Sequence, residues 1–207
     1  MRVGESVKLA IDAWTRGEPD HAMLHACNAV DGTAKKAYPG ITGSNRRFTT
    51  LLRDNYDVLG PMAAPGINLA ETPFPIKVQN PKAKGRPDIA DLIYGIHRCS
   101  HGHGDELPGG FELLPDAAQE VGRTRILIEK TGKVRLSDRV IFGLLAVAVF
   151  APVNADQAVP DGYRLIFGKQ QLVLPINEWW GRHDDFGAVA ATEPMPSVKL
   201  DFGDWMP

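Results

Sequence analysis

The run Ile96-His97-Arg98-Cys99-Ser100-His101-Gly102-His103-Gly104-Asp105-Glu106 gathers three of the six histidines and one of the two cysteines of the chain. Two kinds of chemistry fit it. Attack on an RNA phosphodiester by its own 2'-hydroxyl needs a group that exchanges a proton near neutral pH and a cation that stabilises the phosphorane, and histidine and arginine supply these without a cofactor. Arg98 and His103, four residues between them, are the candidate pair, with His101 a possible second proton carrier. The other chemistry is metal binding: His97 and His101 stand four apart, and His103, Cys99 and Asp105 are further ligand types for a transition metal. That spacing lacks a Glu after His97 for a His-Glu-x-x-His pattern and has no second ligand cluster.

These residues sit at the end of an expected helix. Pro87 fits its first turn, and Ile89, Leu92, Ile93 and Ile96 make its apolar stripe. Arg98 falls nearly opposite that stripe, free to face a partner. On an unbroken helix a five-residue step puts Arg98 and His103 about 140° apart, at ~100° per residue. Gly102 permits the break that would let them converge. The same Arg and His can also meet across a two-fold dimer axis, each protomer contributing to one groove.

The elements around this helix follow from periodicity. Val3 to Arg16 reads as a first helix with Val7, Ala10, Ile11 and Trp14 on one face. Asp20 to Tyr38 reads as a second, with a stripe of Met23, Cys27, Val30, Ala34 and Ala37 ended by Pro39-Gly40. A third starts at Asn45, carries Phe48, Leu51, Leu52, Tyr56 and Leu59, and stops at Gly60-Pro61. Met62 to Arg86 shows no period; its Lys82, Lys84 and Arg86 are candidates to guide an RNA backbone toward the motif, or a solvated loop. Phe111 to Leu114 and Thr124 to Ile128 are β-prone, with a turn at Thr131-Gly132-Lys133. Ser137 caps an apolar helix that runs to Phe150. Tyr163 to Phe167 and Gln171 to Ile176 read as a hairpin around Gly168-Lys169, followed by a short helix over Asn177 to His183 and a loose tail.

Composition sets the outer bounds. The chain has 207 residues, 43% hydrophobic and 23% charged. That is one globular domain able to bury roughly 70% of its unfolded surface without disulfide or metal staples. We read a mainly α single domain over 1–207: a helical core at about 3–151, a β-prone insert at about 109–134, and a hairpin and tail at about 160–207. A net charge of −2 excludes a generally basic nucleic-acid binder, so any RNA contact is local. The apolar stretch Val140 to Val153 is short of the ~20 residues of a membrane span. Glu5 and Asp12 interrupt any secretory signal, so the reading is a cytoplasmic protein with reduced thiols, no membrane association and no required cofactor. Trp179-Trp180-Gly181-Arg182 can stack on bases, or anchor the tail to the core. His21 and His25 read as surface residues, and Cys27 as core.

The motif segment resembles the HEPN superfamily of helical proteins. The resemblance rests on Arg98-Cys99-Ser100-His101-Gly102-His103, which fits that family's pattern of Arg, four to six residues, then His at the end of a helix. Asp91-Leu92-Ile93-Tyr94-Gly95-Ile96-His97 before it and Gly104-Asp105-Glu106-Leu107 after it look like the context in prokaryotic members. A weaker match is Ala22 to Tyr38, including Ala29-Val30-Asp31-Gly32. The resemblance implies a HEPN-like bundle that dimerises, with Arg98 and His103 lining a cleft where RNA is cut without metal to leave a 2',3'-cyclic phosphate. It further implies a toxin or phage-defence effector, with an antitoxin or defence-system partner. Cys99 stands where the family often has Asn, Asp or His, and the family also has non-catalytic members. A silent RNA- or protein-binding module is therefore the alternative, and a metal site at His97, His101 and His103 the second.

Overall fold

The computed structural model describes residues 2–75, 86–103, 110–116, 126–193 and 197–203, and over 98–103 the backbone alone. Helices dominate, as the sequence implies, and two small sheets flank them. The helices are α1 (Val3–Thr15), α2 (Pro19–Ala37), α3 (Ser44–Asp54), α4 (Tyr56–Ala63), α5 (Ile89–His103), α6 (Arg139–Phe150), α7 (Ile176–Trp179) and α8 (His183–Ala191). The strands are β1 (Phe111–Leu114), β2 (Ile126–Ile128), β3 (Val134–Ser137), β4 (Arg164–Phe167) and β5 (Leu172–Pro175). None of the helices among the described residues is long and apolar enough to cross a membrane.

The core is built around α6, whose residues from Val140 to Phe150 are all buried except Phe142. A helix without a polar stripe must be enclosed, and α1, α2, α4 and α7 enclose this one. Packing against α4 is close: a Cβ on Gly143 would lie 2.6 Å from Ala63 Cβ and 3.0 Å from Leu59 Cδ1. At its far end Asn154, fully buried in the 3-10 turn Pro152–Asn154, donates from Nδ2 to Ala148 O and to Thr33 Oγ1, both at 2.8 Å. Thr33 passes a hydrogen bond on to Ala29 O at 2.7 Å, so one polar chain ties α6 to α2.

α2 touches α1, α3, α5 and α6. Its buried Met23, Cys27, Val30 and Ala34 follow the expected stripe, and burial pushes the Cys27 thiol far above its ordinary range. His21 and His25 are half-buried. On α1 the buried set is Val3, Ser6, Val7, Ala10 and Ala13, whereas Ile11 and Trp14 turn toward a surface cleft.

Several elements differ from the sequence reading. The third helix is two helices, broken at Asn55, whose side-chain amide donates to Leu51 O at 2.8 Å and so caps α3 from within. Pro61 does not stop the chain: it lies inside α4, which continues to Ala63 because Met62 and Ala63 are buried. α5 begins at Ile89, so Pro87 precedes the helix, and Asp88 rather than Pro87 starts it. The β-prone insert is more than a hairpin. β3 pairs antiparallel with β2 and parallel with β1, giving the order β1-β3-β2. Ser137 ends β3, yet its Oγ still accepts the Arg139 N–H at 3.2 Å at the start of α6.

β4 and β5 form the expected antiparallel hairpin, with Ile166 opposite Val173. The tail, expected to be loose, contains α8, whose Phe186 is fully buried and stacks on Phe150 at 4.6 Å. Trp180 is buried, and Trp179 packs on Phe150 at 5.5 Å. The tryptophan pair therefore anchors the C-terminal segment to the core.

The α4–α6 contact yields a direct test. Gly143→Ala adds helix propensity of about 1 kcal/mol, but its methyl must displace Ala63. We expect a net loss of about 1–3 kcal/mol in urea unfolding, and the substitution should become tolerated when Ala63 is also changed to Gly.

Candidate functional site

The motif is carried by α5, and the first half of that helix is held from both sides. Asp88 accepts the first helical hydrogen bond, from Leu92 N, at 3.2 Å. Its Oδ1 accepts the Asp91 N–H at 3.0 Å, while Asp91 Oδ2 accepts the Asp88 N–H at 3.3 Å. This is a reciprocal capping box built from two aspartates. Arg53 of α3 closes it, donating from Nε and Nη2 to Asp88 at 2.7 and 3.0 Å and from Nη2 to Asp91 at 2.8 Å. Asp91 is thus engaged by Arg53.

The two carboxylates titrate in opposite directions. Burial and the neighbouring Asp88 charge push Asp91 above its ordinary value. Burial also acts to raise Asp88, but hydrogen bonds from Arg53 and from the Asp91 backbone outweigh it and hold Asp88 below its ordinary value.

Further along, Ile89, Ala90, Leu92, Ile93 and Ile96 are buried, as the stripe requires. His97 is 7% exposed and stacks on Phe48 of α3 with ring centroids 5.1 Å apart and planes 14° apart. Tyr94 meets both rings, at 5.5 Å from Phe48 and 6.3 Å from His97, and its hydroxyl lies 3.2 Å from Ser44 Oγ. The aromatic contacts fasten α5 to α3 one turn before the motif.

From this anchor the helix continues through Gly102 to His103. The break that Gly102 permits does not precede His103, so positions 98 and 103 stay about 140° apart around one helix. The side chains of Arg98, His101 and His103 lie outside the described residues, as do Lys82, Lys84 and Asp105. Arg86 lies in the bend leading into α5 and is half-exposed. For the metal alternative, His97 occupies a place in the aromatic stack, and the described residues contain no other cluster of three metal-ligating side chains.

Sequence reasoning missed Arg53 and Asp88. Asp88 was open to recognition, because Asp-x-x-Asp before an apolar run is a capping signature. Arg53, 35 residues earlier, carries no local signal.

Removing the guanidinium by Arg53→Met leaves the two carboxylates facing each other and is expected to cost about 2–3 kcal/mol at neutral pH. Asp88, lowered in the folded state, stabilises the native protein above its unfolded pKa, and that contribution is lost as pH falls through the folded value. Asp91, raised, takes up its proton first in the variant and relieves the repulsion. The difference between wild type and Arg53→Met in urea midpoint should therefore shrink on going from neutral pH into the acidic carboxylate range; a constant difference would show that the charges do not carry it.

Comparison with known proteins gives the chain its place. The family model Rv1289 matches residues 2–206. The uncharacterized protein Rv1289 of Mycobacterium tuberculosis (H37Rv) is 44% identical over 212 residues, covering 100% of this chain and 98% of the relative. The uncharacterized protein Mb1320 of Mycobacterium bovis matches with the same identity and coverage. No solved structure matches the chain. The chain belongs to the Rv1289 family.

Proposed function

We propose that this protein is a HEPN-like helical bundle acting as a metal-independent endoribonuclease. The observation that carries the reading is the course of α5: a helix capped and clamped at one end, pinned by an aromatic stack in the middle, and unbroken through the Arg-x4-His segment at the other. α2 in contact with α1, α3, α5 and α6 gives the helical setting in which such a segment works.

In this reading His103 exchanges the proton of the attacking 2'-hydroxyl or the leaving 5'-oxygen, and Arg98 stabilises the phosphorane. His101 assists, and Lys82, Lys84 and Arg86 hold the phosphate backbone. Because α5 does not break at Gly102, one chain does not bring positions 98 and 103 to the same side of the helix. The working site pairs Arg98 of one protomer with His103 of its partner in a homodimer. The cellular role that goes with this chemistry is that of a toxin or phage-defence effector restrained by a partner protein.

The test is cleavage of a mixed single-stranded RNA pool in EDTA with analysis of product ends. Wild type should leave 2',3'-cyclic phosphates, and Arg98→Ala and His103→Ala should each lose at least about 100-fold in rate. Mixing the two inactive variants should restore activity, to about a quarter of wild type after random exchange, since half the dimers are mixed and one of their two Arg–His pairs is intact. Failure of rescue with dimers exchanging would rule out the composite site. Absence of any cleavage by the wild-type dimer would leave the silent RNA- or protein-binding module as the better reading.

A further inference from the structure

Away from α5, a cleft of about 1040 Å³ opens between α1, the start of α6 and the β4–β5 hairpin. It is at the upper end of the range of small-molecule sites. Arg139 and Phe142 both line it, and Phe142 is the one residue between Val140 and Phe150 that is not buried in the core. Phe142 meets Trp14 edge to face, centroids 5.0 Å apart and planes at 83°. Such a corner offers a ring face and a ring edge to a third ring.

The charges around this corner are unevenly answered. Asp12 accepts hydrogen bonds from Lys8 Nζ at 2.6 Å and from Tyr163 Oη at 2.5 Å, and these hold its carboxyl below the ordinary range. Asp116 accepts from Ser137 Oγ at 3.3 Å and from Arg139 Nη1 at 3.4 Å. Asp161 accepts from Asn177 Nδ2 at 3.3 Å. Arg16 is forked onto Glu18 at 3.0 and 2.7 Å. Every carboxylate of the lining has a donor, and one cation of the lining, Arg164, makes no side-chain hydrogen bond or ion pair among the described residues. Arg164 stands on the exposed face of β4 beside Ile166, which also lines the cleft.

From this asymmetry we infer that the cleft binds a small ligand with a planar aromatic ring and an oxyanion, the ring against Trp14 and Phe142 and the oxyanion on Arg164. Arg139 also lines the cleft, and its 3.4 Å contact with Asp116 leaves donors to spare. Carboxylates and phosphates share the required chemistry, and a guanidinium accepts either bidentately. The site is separate from the motif on α5, and its occupancy does not depend on ribonuclease activity.

Calorimetric titration of the full chain with 1-naphthoate and with adenosine 5'-monophosphate probes the two oxyanions, with 1-naphthamide and adenosine as neutral counterparts. Saturable binding of at least one anion is expected, at least about tenfold tighter than its neutral counterpart, with a similar loss in Arg164→Gln. Tryptophan emission should be quenched by that anion in wild type and not in Trp14→Phe. Arg164 is exposed, so its substitution leaves the core intact, and unchanged unfolding of Arg164→Gln confirms this. Binding of the naphthoate alone assigns a carboxylate ligand, and of the nucleotide alone a phosphate ligand. No saturable binding of either anion, equal binding of the neutral compound, or undiminished binding by Arg164→Gln each overturns the assignment.

Discussion

Burial of α6 is the constraint on which the packing of α1, α2, α4 and α7 depends. A twelve-residue helix with no acidic residue and a single charge, Arg139 at its first position, has no face to give to water. It must be wrapped, and the wrapping dictates where α1, α2 and α4 run. Gly143 lets α4 approach to contact, which a methyl group would prevent. Phe150 then gathers Trp179 and Phe186, so the C-terminal segment closes over the last turn of the helix. Asn154 answers the polar need left at that end by donating to Ala148 O. Where the wrapping is incomplete, at Arg139 and Phe142, a cleft of about 1040 Å³ opens.

α5 is positioned by different means. It shares little surface with α6 and lies on α2 and α3, so its hold on the fold is partly polar. The Asp88–Asp91 cap with Arg53 fixes its start, and the Phe48–His97 stack fixes its middle. A partly buried, satisfied ion cluster specifies geometry more than it adds stability, because desolvation consumes much of the attraction. His97 contributes as an aromatic ring flat on Phe48, a role distinct from metal ligation.

How much of this was legible depends on how local each cause is. The stripes of α2 and α5, the unbroken apolar run of α6 and the turn at Gly168-Lys169 are local, and each element appears where periodicity puts it. The break at Asn55 was hidden because Phe48, Leu51, Leu52, Tyr56 and Leu59 keep a helical rhythm across it, while the side-chain bond from Asn55 to Leu51 O that caps α3 has no rhythm at all. Pro61 misled for the opposite reason: its local preference to end a helix yields to burial of Met62 and Ala63. α8 was obscured because one buried residue, Phe186, makes no stripe. The parallel pairing of β1 with β3 joins segments more than twenty residues apart and is set by packing alone. In the Arg98–His103 segment the mutual placement of the two positions had no local signal, since only the course of the helix decides whether Gly102 is a break.

The start of α5 and the cleft beside α1 differ in how their charges are used. At the start of α5 every charge has a partner, and the partners span α3 and α5, so the cluster reads as construction of the fold. Around the cleft the carboxylates are equally well supplied, by Lys8, Tyr163, Ser137, Arg139 and Asn177. Arg164 stands apart there, on a strand face with exposed apolar neighbours Ile166 and Val173. An arginine on open surface is hydrated at little cost, and by itself carries no message. In a cleft lining that it shares with Trp14 and Phe142, and whose acidic groups already have donors, the same arginine is the one cation among the described lining residues whose side chain has no partner, which is the arrangement a ligand oxyanion completes.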